Sequence, residues 1–86
     1  GPVDLAISLG LSRHRGEYEQ EPSQQAALKK IVDTTLAAGK IPCCNTYSLD
    51  DFAAQKTAGF QGITMKSDLD LLFDRGTNIL SELKEI

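Results

Sequence analysis

The sequence predicts an α/β chain in which helices alternate with two short strands in the order α-β-α-β-α. Three observations carry this. Leu28, Ile31, Val32, Thr35 and Leu36 follow the i, i+3, i+4, i+7, i+8 spacing of one helical stripe. Two short apolar runs, 41–47 and 60–65, read as strands. Gly39 and Gly59 stand where helices should stop, and Ser48 and Ser67 where they should start. Hydrophobic residues at 41% and charged ones at 24% suit a globular chain and argue against disorder.

Residues 3–10 form a short apolar segment closed by Gly10. With Asp4 capping a helical turn, Leu5, Ile7 and Leu9 would be buried around it. Residues 11–22 read as a polar loop, with Arg13, His14 and Arg15 followed by Glu17, Glu19 and Glu21, and with Gly16 and Pro22 as breakers. The first long helix is expected from about Ser23, as N-cap, to Ala38, with Gly39 at C′. Its stripe is buried, and Lys29, Lys30 and Asp33 fall on the other side.

The run Ile41-Pro42-Cys43-Cys44-Asn45-Thr46-Tyr47 reads as a buried strand, with Pro42 tolerated near its start. Ser48 and Asp51 have capping-box spacing and open a helix that should carry Leu49, Phe52 and Ala53 inward and end at Gly59. The run 60–65 supplies the second strand. Ser67 and Asp70 repeat the device and start a last helix to about Lys84. Its apolar face is Leu69, Leu72, Phe73, Gly76, Ile79, Leu80 and Leu83, where Gly76 permits close approach. The crossovers are long enough for parallel pairing.

Several functions are excluded or disfavoured. A net charge of −3 argues against sequence-independent nucleic-acid binding. No apolar run approaches the ~20 residues of a membrane span, and no stretch has a signal peptide's layout. Cys43 and Cys44 are adjacent, so they form no disulfide framework, which favours a reducing, cytoplasmic setting. They point to opposite strand faces and lack zinc-knuckle spacing, so they read as buried small residues. Asp50, Asp51, Asp68 and Asp70 sit in first helical turns, where acids favour the dipole. The glycines are spaced as turns and caps and make no phosphate cradle, and His14 reads as part of a solvated loop.

Size adds a constraint. Two parallel strands with three helices leave both sheet edges open, so 86 residues of this pattern read as two consecutive units of a larger sheet or barrel. The chain opens at Gly1 with its only methionine at Met65, which reads as part of a longer translation product. Gly1-Pro2 also matches what a tag-removing protease leaves behind.

Gly1-Pro2-Val3-Asp4-Leu5, continuing to Ser8-Leu9-Gly10, resembles a glycine-proline-any-aspartate-leucine segment of the HpcH/HpaI aldolase/citrate lyase family. Ala37-Ala38-Gly39-Lys40, Ala58-Gly59-Phe60 and Ser67-Asp68 are similar to later family stretches, in order and at compatible spacing, so the resemblance spans essentially the whole chain. It implies that residues 1–86 are one partial domain, the C-terminal third of a (β/α)8 barrel: the end of strand six, then units seven and eight. It further implies metal-dependent cleavage of 4-hydroxy-2-oxo acids to pyruvate and an aldehyde, with Mg2+, Mn2+ or Co2+ as cofactor. A homo-oligomer that exchanges the last helix, about 68–84, is implied as well.

Carried over by position, Asp4 matches the metal-ligating aspartate, and Gly1 and Pro2 match the turn that lines the oxo-acid pocket. A hard cation held by carboxylates would chelate the oxo acid and stabilise its enolate. The sequence departs from the family at Ile41-Pro42-Cys43-Cys44-Asn45, where a cysteine replaces a glycine and Asn45 takes the position facing the aldehyde end. The resemblance assigns the second metal ligand, the arginine and the histidine to segments outside these residues, so no catalytic group is expected here and the chain alone is expected to be inactive. The alternative reading is a non-catalytic α/β module for interaction or oligomerisation, formed with copies of itself or with the rest of the barrel.

Overall fold

Two parallel strands, β1 (Cys43–Thr46) and β2 (Gly62–Met65), lie at the centre of the computed structural model, which describes residues 1–86. Four helices surround or extend from them: α1 (Pro2–Ser8), α2 (Pro22–Ala37), α3 (Leu49–Ala58) and α4 (Asp68–Lys84). The fold is thus a small α/β domain with a two-stranded parallel sheet, in register Cys43 to Gly62 through Thr46 to Met65. No helix is long and apolar enough to cross a membrane.

The first element departs from expectation. Residues 2–8 are helical, with Gly1 as N-cap and Pro2 in the first turn, so no strand end forms at the start of the chain. Asp4 therefore sits in the first turn and makes no capping hydrogen bond. Of its neighbours only Ala6 is buried, whereas Ile7 is 53% and Leu9 41% exposed. A helix of seven residues has one narrow covered face, and it is turned by Ala6 rather than by the larger side chains.

The segment read as a loop contains a 3-10 turn, Tyr18–Gln20, whose Tyr18 is among the few buried residues. Helix α2 begins earlier than expected, because Pro22 occupies its first turn after Glu21 as N-cap, and Ser23 does not cap it. It ends at Ala38, where Gly39 takes φ +70° and its amide donates to Leu36 O. The expected stripe is only partly covered. Val32 is buried, but Ile31 and Leu36 are 43% and 42% exposed, and the buried residue of the first turns is Gln24.

Both serine caps form. Ser48 Oγ accepts from Asp51 N at 3.1 Å, although the Asp51 carboxylate accepts from Tyr47 N and not from the cap residue itself. At α4 the box is complete: Ser67 Oγ accepts from Asp70 N, and Asp70 Oδ2 accepts from Ser67 N at 3.2 Å. These backbone and side-chain bonds from Ser67 hold the Asp70 carboxyl below its ordinary pKa.

The core is Ala6, Tyr18, Val32 and Phe60, with Gln24, Thr46 and Pro42 beside them. In α3, Leu49 is 81% exposed and Ala53 is exposed, so only Phe52 of the three expected core residues is partly covered. The apolar face of α4 holds no buried residue, and Leu69, Leu72 and Phe73 each exceed 70% exposure. An accessible surface of 6467 Å² compares with about 5,000 Å² for a folded monomer of 9.3 kDa. The radius of gyration of 15.7 Å compares with about 12 Å for a compact chain of this length.

Candidate functional site

Alternation along the strands sorts their side chains. Cys43 and Asn45 share one face with their register partners Gly62 and Thr64, and Cys44 and Thr46 share the other with Ile63 and Met65. Helix α3 packs on the sheet, and Thr46 is fully buried, its hydroxyl donating to Thr64 O at 2.7 Å. The opposite face is open: Cys43, Asn45 and Thr64 are exposed. There Thr64 Oγ1 donates to Asn45 Oδ1 at 2.6 Å, which leaves the Asn45 amide N–H pair free to donate outward.

Of the residues singled out by sequence, Asn45 is thus presented by a strand on an open polar face. Cys43, read as buried, is exposed, and Cys44 is only half-buried. The Cys44 thiol is pushed up by burial and by the nearby Asp51, with the chain's N-terminal ammonium acting in the opposite direction. Pro2 is tied down, since its carbonyl accepts from Gln24 Nε2 at 2.9 Å.

Asp4 is exposed, and its carboxylate folds back over Gly1 so closely that a Cβ at residue 1 would collide with it. No three His, Cys, Asp or Glu side chains converge in these 86 residues. The donor set of this chain therefore does not by itself fit a divalent cation, which needs about six oxygen ligands.

The carboxyl ends of parallel strands are where α/β proteins build sites. Here that end carries features the sequence reading passed over. The Arg15 guanidinium lies 3.4 Å from the centroid of the Tyr47 ring. Burial, together with Glu19, pushes the Tyr18 hydroxyl up to about 12. Lys66, directly after β2, has φ +55°, a left-handed backbone unusual for lysine, and its ammonium pairs with Asp74. Arg15 was visible as one of three basic loop residues, but the ring it covers is 32 positions away, so local sequence gave no sign of the pair. A lysine carries no sequence signal for positive φ.

A cleft of about 470 Å³ opens between α2 and α3, with Tyr18, Gln24, Asp51 and Gln55 on its walls and Pro2 at one end. Gln24 is fully buried, and its Oε1 has no hydrogen-bond partner. No protein-family model, curated protein or solved structure matches the chain.

Proposed function

We propose that these residues form part of a larger (β/α)8 barrel, its C-terminal third, and supply one wall of the pocket of a metal-dependent aldolase or lyase. The observation that carries this reading is the open sheet face, with Asn45 and Thr64 hydrogen-bonded across two parallel strands whose outer edges are unpaired. A parallel sheet is normally covered on both faces and continued by further strands. A polar face bearing an asparagine with free N–H donors suits the interior mouth of a barrel.

In this reading Asn45 donates to a polar aldehyde end of a 4-hydroxy-2-oxo acid. Gly1 and Pro2 line the oxo-acid end, where Gln24 holds the Pro2 carbonyl. Asp4 contributes one carboxylate to a magnesium, manganese or cobalt ion, whose remaining ligands come from the rest of the barrel. The ion would supply the Lewis acidity that polarises the oxo group.

The test is pyruvate release from a 4-hydroxy-2-oxo acid, with magnesium or manganese, by the full protein that contains this segment. Asp4→Ala is expected to abolish metal-dependent release while leaving helix content unchanged. Asn45→Leu is expected to raise KM by about tenfold, as for the loss of one charge-free hydrogen bond in a buried site. Full activity in both variants overturns the assignment.

A second reading, an assembly module, is favoured by a different observation. Fourteen large hydrophobic side chains are exposed, and eight of them lie on or just beyond α4 or in its interior: Leu69, Leu71, Leu72, Phe73, Ile79, Leu80, Leu83 and Ile86. In that reading the chain associates with copies of itself or with the remaining barrel units through these surfaces.

A further inference from the structure

We propose that α4 pairs antiparallel with α4 of a second copy, as an isologous two-stranded coiled coil. The inference deepens the assembly reading above. Its test reads association and not chemistry, so either proposal can fail without the other.

The apolar stripe has heptad spacing. Leu69, Gly76 and Leu83 repeat at seven residues, Leu72 and Ile79 follow three residues after the first two, and Ile86 stands at the next such position, just past the helix end at Lys84. This places them at a and d, with Phe73 and Leu80 at e and with Arg75 and Glu82 at g. The stripe faces away from the protein's own sheet. The side of α4 turned to the body carries Asp74, paired with Lys66, and at 100° per residue that side lies opposite the stripe. Leu69, Leu72, Phe73 and Leu80 are accordingly 71%, 73%, 71% and 61% exposed.

Self-complementarity selects the occupant and its direction. In an antiparallel pair each a residue faces a d residue, and one register lets Leu72 face Leu83 and Gly76 face Ile79 of the other copy, with Leu69 toward the end of the partner helix. The glycine, with no atom within 4 Å of where its Cβ would be, then receives the branched isoleucine. A parallel pair would set Gly76 against Gly76 and leave a void.

Charge agrees with the same register. Arg75 and Glu82 already meet within one helix at 3.3 Å, both largely exposed. In the antiparallel pair each lies beside its opposite on the other copy, twice by symmetry. On the other flank Phe73 lies beside Leu80.

The area is of the right size. The chain exposes roughly 1,500 Å² more than a compact monomer of its mass, and the stripe offers on the order of 700 Å² per copy, against the ~800 Å² per partner of a standard interface.

The experiment is sedimentation equilibrium on the chain and on charge-reversed variants, with helix content as a check on folding. The wild-type chain is expected to dimerise. Leu72→Glu is expected to weaken dimerisation at least ~100-fold, since each dimer buries that position twice. Arg75→Glu and Glu82→Arg each bring like charges together between copies, and each is expected to weaken its homodimer. Mixed together, they restore two opposite-charge contacts between copies but no intrahelical pair, so the heterodimer is expected to be favoured over either homodimer by about tenfold. A monomeric wild type, a dimer indifferent to Leu72→Glu, or a mixture with no heterodimer preference overturns the proposal. Retention of the dimer on deletion of residues 67–86 would assign it to the strand edges and overturn it too.

Discussion

Replacing Gly59 by alanine tests how tightly α3 is turned back against α2. Gly59 ends α3 at φ +107°, and a Cβ there would stand 2.9 Å from Val32 Cγ1. Val32 is 3% exposed and sits inside a helix, where a valine holds essentially one χ1 rotamer, so it cannot swing aside. The left-handed backbone alone costs alanine about 1–2 kcal/mol. Forcing a methyl against a packed, stiff side chain adds about 1–3 kcal/mol. The expected loss is therefore about 3 kcal/mol, a large part of the margin of a domain this small. Gly39→Ala is the matched control: its φ is +70°, but nothing lies within 4 Å of the new methyl, so only the backbone cost of about 1 kcal/mol remains. Urea unfolding at one fixed chain concentration, followed by far-ultraviolet circular dichroism, reads the difference as a midpoint lower by about 1–2 M for Gly59→Ala than for Gly39→Ala. Val32→Ala removes the obstructing Cγ1, so the double variant should lose less than the sum of the two single ones. Equal losses at Gly59 and Gly39, or strict additivity with Val32→Ala, would refute the reasoning.

Other expectations follow from single groups. Tyr18 keeps its proton in the folded state up to about 12, whereas unfolding returns it to 10.0. Its stabilisation is complete below pH 10 and is lost as pH rises to about 12, by about 2–3 kcal/mol, and Tyr18→Phe should flatten that part of the stability profile. The Asp70 carboxyl is held below its ordinary value by Ser67, so its contribution is present above that ordinary value and disappears as pH falls through the lowered one. Ser67→Ala should move this acid-side loss of α4 helicity, read by circular dichroism, to higher pH. Ser48→Ala should cost about 1 kcal/mol by thermal denaturation, because the Asp51 amide loses its acceptor. Lys66→Val should cost about 2 kcal/mol more than Lys66→Gly in the same assay, since both lose the ion pair to Asp74 but only the β-branched residue is poorly accommodated at φ +55°.

The elements themselves were largely legible, and the reasons are local. Gly39, Gly59, Ser48 and Ser67 fix the ends of helices through bonds within a few residues, and all four act at helix termini. The first strand was legible as a strand but not as one with an open face, since Cys43 and Asn45 are exposed where a buried run was expected. Burial was less legible, because periodicity reports which side of a helix is apolar and not whether a partner reaches it. Ile31, Leu36 and Leu49 carry the right pattern and stay exposed. Gln24 and Tyr18 do the opposite. Each is polar at one end, and each is buried by a contact far along the chain, as when Gln24 reaches the Pro2 carbonyl 22 residues away. The site was legible only as separate residues: Asn45 and Thr64 meet because two strands pair in one register, which no single segment encodes.

Helix α4 has no extensive contact with any other element; it joins the body through the backbone at Lys66 and Ser67, the Lys66–Asp74 ion pair, and Leu71 beside Tyr47 and Met65. The body and α4 are therefore expected to unfold separately. Tyr18, Val32 and Phe60 hold the body together by contacts within a single copy, so its melting temperature should be independent of protein concentration. In the dimer proposed above, the ordering of α4 would instead obey mass action. Dilution should melt the last 19 residues, 68–86, first, and hydrogen exchange there should accelerate while the amides of β1 and β2 stay protected.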